Sequence, residues 1–171
     1  MKTISVQRTY LEMRGNMGRE MSHPLPEVRV IRMPSPSVDY YRTLYNAVGE
    51  PWKWIDRNLL DDDELAAIIQ DELVEFYILR IDGEPAGYGE LDRRKTEENE
   101  IELAYFGLLE KYQGRGLGKY FLNWLILRAW AYEPTRLWLH TCELDSPAAL
   151  ALYEKAGFKV FDRRQIEQVI A

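Results

Sequence analysis

The chain has 171 residues, 46% of them hydrophobic, and its 22 Lys and Arg against 28 Asp and Glu give a formal charge of −6. That is the size of one domain with a real core, and the net negative field disfavours nucleic acid and anionic lipid as partners. The lone Cys142 excludes an intramolecular disulfide, no apolar run approaches the roughly 20 residues of a membrane span, and Met1 to Glu20 lacks a secretory apolar stretch, so a cytoplasmic location is expected.

Residues 1–26 carry no sustained periodicity and end in Pro24 and Pro26, which reads as an N-terminal extension ahead of a single domain over 27–171. Glu27 to Met33 predicts a strand stopped by Pro34 and Pro36, after which Ser37 is placed to cap a helix. Tyr41, Leu44, Tyr45 and Val48 fall at helical spacing within Val38 to Val48, and Gly49 with Pro51 ends that run before Trp52-Lys53-Trp54. Asp61, Asp62 and Asp63 stand where a following helix with Leu65, Ile68 and Ile69 presents its positive dipole end, so they read as a cap rather than a metal site.

Val74 to Ile81 is rich in β-formers, and Asp82-Gly83 is a strong hairpin signal leading into a strand over Ala86 to Leu91. A third strand, Glu100 to Leu108, completes a meander. A helix over Gly116 to Ala131, a strand over Arg136 to Thr141, a helix over Pro147 to Ala156 and a last strand from Phe158 come next. The order predicts a mixed α/β fold without internal repeats.

Gln113-Gly114-Arg115-Gly116-Leu117-Gly118 lies between an apolar strand and a helix start, where several backbone N–H groups lack intrahelical partners. Such a turn can bind an anion, with Arg115 or Lys119 adding a cation, or it can be an ordinary tight turn. Two nucleotide motifs fail here. A P-loop needs Gly at Gln113 and Ser or Thr at Tyr120, and a dinucleotide fingerprint needs a third small residue at Lys119.

The remaining Q-x-x-G-x-G pattern, together with Asp145-Ser146-Pro147-Ala148-Ala149-Leu150-Ala151-Leu152-Tyr153-Glu154-Lys155-Ala156-Gly157-Phe158, resembles the GNAT superfamily of acyl-CoA-dependent N-acyltransferases over about residues 74 to 161. One departure is Asp145, where Asn is usual; either residue can cap the helix that follows. The resemblance implies a mostly antiparallel sheet flanked by helices and splayed between the predicted fourth and fifth strands, with the pantetheine of acetyl-CoA in the gap. It places a β-bulge near Gly107, the Phe106 N–H at the thioester carbonyl, Leu108 on a pantetheine amide, Gln113, Gly114, Arg115, Gly116, Leu117, Gly118 and Lys119 around the pyrophosphate, and Asp145 on pantetheine. It implies no metal.

An amine nucleophile must be neutral to attack, which calls for a base. Glu102 stands eleven residues before Gln113, where some family members keep a glutamate, and simple alternation would turn it to the same face as Phe106. It is equally a charged residue on a half-exposed strand, and Glu90, Glu100 and His140 are rivals. Tyr153 matches the family's donor of a proton to the leaving thiolate, against a packing role beside Leu152 and Phe158. A covalent route through Cys142 lacks a basic partner other than His140.

Trp52, Trp54, Tyr40, Tyr41 and Tyr45, with Glu50, Glu90, Glu100 and Glu102, suggest a small cationic amine as acceptor. The pattern admits a homodimer. A non-catalytic acyl-CoA sensor or interaction module is the alternative, and a phosphate-binding regulator a third.

Overall fold

The computed structural model describes residues 1–171. Its elements run β1 (Lys2–Met13), β2 (Val28–Arg32), α1 (Val38–Gly49), α2 (Asp62–Ile69), β3 (Val74–Ile81), β4 (Glu84–Asp92), β5 (Glu100–Leu108), α3 (Leu117–Trp130), β6 (Arg136–Cys142), α4 (Ala149–Lys155) and β7 (Lys159–Ile170). The strands form one sheet in the order β2-β3-β4-β5-β6-β1-β7. Every neighbouring pair is antiparallel except β5 and β6. The expected meander is β3-β4-β5, turned at Asp82 and Gly83, whose φ values of 51° and 78° are both in the left-handed region that a tight hairpin requires.

Residues 1–26 are not an extension. β1 inserts between β6 and β7, pairing Arg8 with Cys142 on one side and with Arg164 on the other. Its buried positions change face midway, from Val6 to Thr9, Leu11 and Met13, so no single alternation persists along it and the strand lacks the usual period-two signature.

Apolar layers cover both faces of the sheet. On one, Phe121 and Leu125 of α3 and Tyr153 of α4 pack with Ile101, Leu103, Leu108, Leu137 and Leu139 of the splayed strands. On the other, Tyr41, Tyr45 and Val48 of α1 and Leu65 and Ile69 of α2 pack on Phe76, Ile78 and Tyr88. The helices start where the sequence provides caps. Ser37 Oγ accepts the Tyr40 N–H at 3.1 Å, and Asp61 and Glu64 form a reciprocal capping box, which is the role found for the acidic triplet's first member.

Two irregularities interrupt β5. Its parallel pairing with β6 extends only from Glu100–Arg136 to Glu102–Trp138, after which the two strands part. The bulge lies earlier than expected: Glu90 opposes Tyr105 and Leu91 opposes Leu103, so Ala104, not Gly107, is the extra residue.

Candidate active site

The parting of β5 and β6 opens a cleft of about 810 Å³ that runs through the sheet. Leu109 donates its N–H across to Ala86 O of β4 at 2.8 Å, so strand alternation turns the N–H groups of Leu108 and Phe106 the other way, into the gap. The sheet thus presents unpaired donors along one wall, as an edge strand would.

At the α3 end, Gly114 and Gly116 have φ values of +79° and +76°, and a Cβ built on either would meet nothing within 4 Å. The turn therefore leaves open space above its backbone. The first hydrogen bond into α3 runs from Tyr120 N–H to Gly116 O, and no side chain caps the helix, so the amides of residues 114–119 have no acceptor within the chain. Free amides at the positive end of a 14-residue helix can hold an anion. Gln113, Gly114, Gly116, Gly118 and Lys119 line the cleft. Arg115 does not; its guanidinium lies over the Tyr112 ring, 5.8 Å from the centroid. Leu117 is fully buried against the core, leaving only its amide toward the turn.

In the middle, Tyr153 faces the cleft from α4, wedged between Phe106 and Phe158 with ring centroids 6.1 and 6.2 Å away. Burial, with the Asp145 carboxylate, pushes its phenol above the usual range, so the hydroxyl keeps its proton at neutral pH. Asp145 does not cap α4, whose N-cap is Ala148. Its carboxylate accepts instead from Thr141 Oγ1 at 2.6 Å, Cys142 N at 2.9 Å and Trp54 Nε1 at 3.1 Å. Three donors converge on one side chain, tying the end of β6 to the segment after α1. That is a task for a carboxylate, which accepts only and has about four lone-pair sites.

The bulge at Ala104 reverses one expectation. Ile101, Leu103, Phe106 and Leu108 all join the α3 layer, whereas Tyr105 joins the α1 layer. Glu102 alternates with Leu103, so it sits on the face opposite Phe106. There it lines the far mouth of the cleft with His140, whose Nε2 is 3.8 Å from Glu102 Oε2. Burial, then the nearby Asp92 and Glu90 carboxylates, pushes the Glu102 carboxyl up to about 7. Burial, then Arg8, pushes His140 down to about 4, so its imidazole is neutral.

The rivals are engaged elsewhere. Glu90 is fully buried, accepting from Tyr41 Oη at 2.7 Å and ion-paired to Arg57. Glu100 is ion-paired to Arg136 at 2.9 Å. Burial, with Asp145, pushes the Cys142 thiol up, away from a reactive thiolate. Of the aromatic and acidic groups expected at the acceptor, Tyr45, Trp52, Trp54 and Glu102 reach the cleft, while Tyr40, Tyr41, Glu50, Glu90 and Glu100 do not. The cleft also draws on residues that sequence reasoning passed over: Arg8 from β1, Asp56 and Arg57 after α1, and the Asp92–Arg94 pair at the end of β4. Asp92 and Arg94 lie in a polar stretch with no motif, and only their cross-strand neighbourhood with Glu102 marks them.

A split sheet with free amides at a glycine turn is the architecture of an acyl-CoA acyltransferase domain. The chain belongs to the acetyltransferase (GNAT) family, whose model matches residues 38–158. It is 29% identical, over 71% of its own length and 77% of the relative's, to an uncharacterised N-acetyltransferase from the pepI 3′ region of Lactobacillus delbrueckii subsp. lactis. Among solved structures, a functionally unknown conserved protein of Staphylococcus epidermidis superposes over 95% of this chain with a TM-score of 0.70 at 16% identity. The chain spans 61% of that protein's length. A GNAT family acetyltransferase from Elizabethkingia anophelis, solved with acetyl-CoA bound, superposes over 81% of this chain and 80% of its own with a TM-score of 0.60 at 21% identity. These structural likenesses carry the fold.

Proposed function

We propose that this protein transfers an acetyl group from acetyl-CoA directly to the primary amine of a small acceptor. The observation that carries the reading is the continuity of the cleft. Free amides at a helix start lie at one mouth, a protonated phenol stands in the middle, and a carboxyl with a pKa near 7 lies at the other mouth.

In this reading the amides of residues 114–119, with Lys119, hold the pyrophosphate, and the N–H groups of Leu108 and Phe106 align the pantetheine arm and the thioester carbonyl. The Phe106 N–H is aimed where negative charge develops as the carbonyl is attacked. Glu102, ionised, takes a proton from the acceptor's ammonium directly or through one water, and the neutral amine attacks the carbonyl carbon. As the C–S bond breaks, Tyr153 donates its hydroxyl proton to the departing thiolate, and the second proton lost by the acylated nitrogen restores the phenol through solvent. Asp145 acts by holding the end of β6 away from β5 rather than by touching the reacting atoms.

The test is acetyl-CoA-dependent thiol release across a panel of primary amines, with coenzyme A affinity measured by calorimetry. Amine-dependent release is the expected result. Coenzyme A binding without turnover of any amine would replace the reading with a binding module.

A further inference from the structure

Arg8 is the guanidinium on the cleft wall that the chain leaves without a carboxylate. Arg57 is engaged by Glu90 and Arg94 by Asp92, whereas Arg8 forms no ion pair and its Nε is buried without an acceptor. It stands on β1 across from Cys142 of β6 and Arg164 of β7, and Arg164 is occupied with Asp162 at 2.7 Å. The other carboxylates near this stretch have partners of their own: Asp145 accepts from Thr141, Cys142 and Trp54, and Glu143 Oε1 accepts from the Gln7 N–H at 2.7 Å. His140 and Cys142 are both neutral, and the Asp56 carboxylate accepts from Gln168 Nε2 at 3.2 Å. Lys53 also lines the cleft but is solvent-exposed.

A half-buried guanidinium without a partner is unfavourable, and its planar fork matches a carboxylate. We propose that Arg8 binds a carboxylate on the acceptor, which makes the acceptor a short amino carboxylate with its amine at Glu102 and its carboxylate at Arg8. This inference rests on the acetyl-transfer reading above. Arg8 lies opposite Cys142 and Glu102 opposite Trp138, four residues apart on β6 or about 13 Å along a strand. Both side chains shorten that span from its ends, which leaves room for an amino acid. The rings of Trp54 and Tyr105, packed together with centroids 5.2 Å apart, line the same cleft and offer an apolar surface for the carbon skeleton.

The experiment compares matched amines, 5-aminopentanoate against pentylamine and phenylalanine against phenethylamine, with acetyl-CoA as donor. The wild-type protein is expected to favour the carboxylate-bearing member in kcat/KM by about 100-fold, in the range for a desolvated charge pair. Arg8→Gln is expected to bring that ratio to within a few-fold and Arg8→Lys to retain part of it. Coenzyme A affinity, measured by calorimetry, should be unchanged in both, which reports that they fold. Should a variant fail to fold, the wild-type ratio decides alone. A wild-type ratio near one, or a ratio that survives in folded Arg8→Gln, overturns the role of Arg8 and leaves acetyl transfer standing. Absence of amine-dependent thiol release overturns both.

Discussion

Replacing Glu102 by Gln separates chemistry from stability, because the burial on which the proposed base role rests also makes the ionised form costly. The carboxyl is raised from 4.5 to about 7. As a base it acts when ionised, a fraction that climbs from about one tenth at pH 6 to about nine tenths at pH 8, so its contribution to kcat/KM rises about tenfold and then levels off. An acceptor that binds as its ammonium and titrates far above this range adds no inflection near 7. Glu102→Gln is expected to lower kcat/KM by about 10² or more at pH 8 and to remove the inflection.

Stability moves the opposite way. The unfolded carboxyl loses its proton near 4.5, while the folded one keeps it to about 7. Between those values the folded chain binds more protons, so this group's contribution is present at low pH and is lost as pH rises through 7. The loss is about 3 kcal/mol. Urea denaturation should therefore find Glu102→Gln more stable than wild type by up to about 3 kcal/mol at pH 8, and by less than about 1 kcal/mol at pH 5. An inflection near pH 7 that survives the substitution refutes Glu102 as the base. A stability difference that does not grow between pH 5 and pH 8 refutes the burial argument beneath it.

Gly116→Asp puts a side chain and a negative charge into the open space of a turn at φ +76°, and should weaken coenzyme A by about 100-fold or more in calorimetry; unchanged affinity would disprove the cradle. Tyr153→Phe should lower kcat by about 10²-fold or more while coenzyme A affinity stays within about twofold, and a normal rate would remove the proton-donor assignment. Asp145→Asn keeps the shape but presents an NH2 to one of three converging donors, so it should cost about 1–3 kcal/mol in urea denaturation, with equal stability showing that the carboxylate is not needed.

Elements with one buried face and a strong terminus were legible in the sequence. α1 shows its Tyr41, Leu44, Tyr45 and Val48 stripe after Ser37, and the Asp82-Gly83 turn announces the hairpin on both sides of it. The glycine turn was legible for a different reason: positive φ favours Gly at two positions whatever surrounds them. The bulge was not, because inserting Ala104 needs no special residue and is decided by how β5 meets β4. That one insertion moved Glu102 to the face opposite Phe106, so the two address the cleft from opposite sides of the sheet.

That opposition bears on how the site can work at all. If Glu102 shared a face with Phe106, the acceptor and the pantetheine arm would compete for one side of β5. In the proposed reading the bulge lets the arm enter from the α3 face and the amine from the α1 face, to meet where β5 and β6 have already parted, just beyond the Glu102–Trp138 pair. β1 closes the far side of β6 by pairing with its run from Leu137 to Cys142, which sets Arg8 and Tyr10 beside His140. A sheet built without β1 would leave the β6 edge beside His140 open. The strand that the sequence pattern hides is the one that brings Arg8 to the cleft, and acceptor preference should respond to substitutions at Arg8 more than to any in the glycine turn.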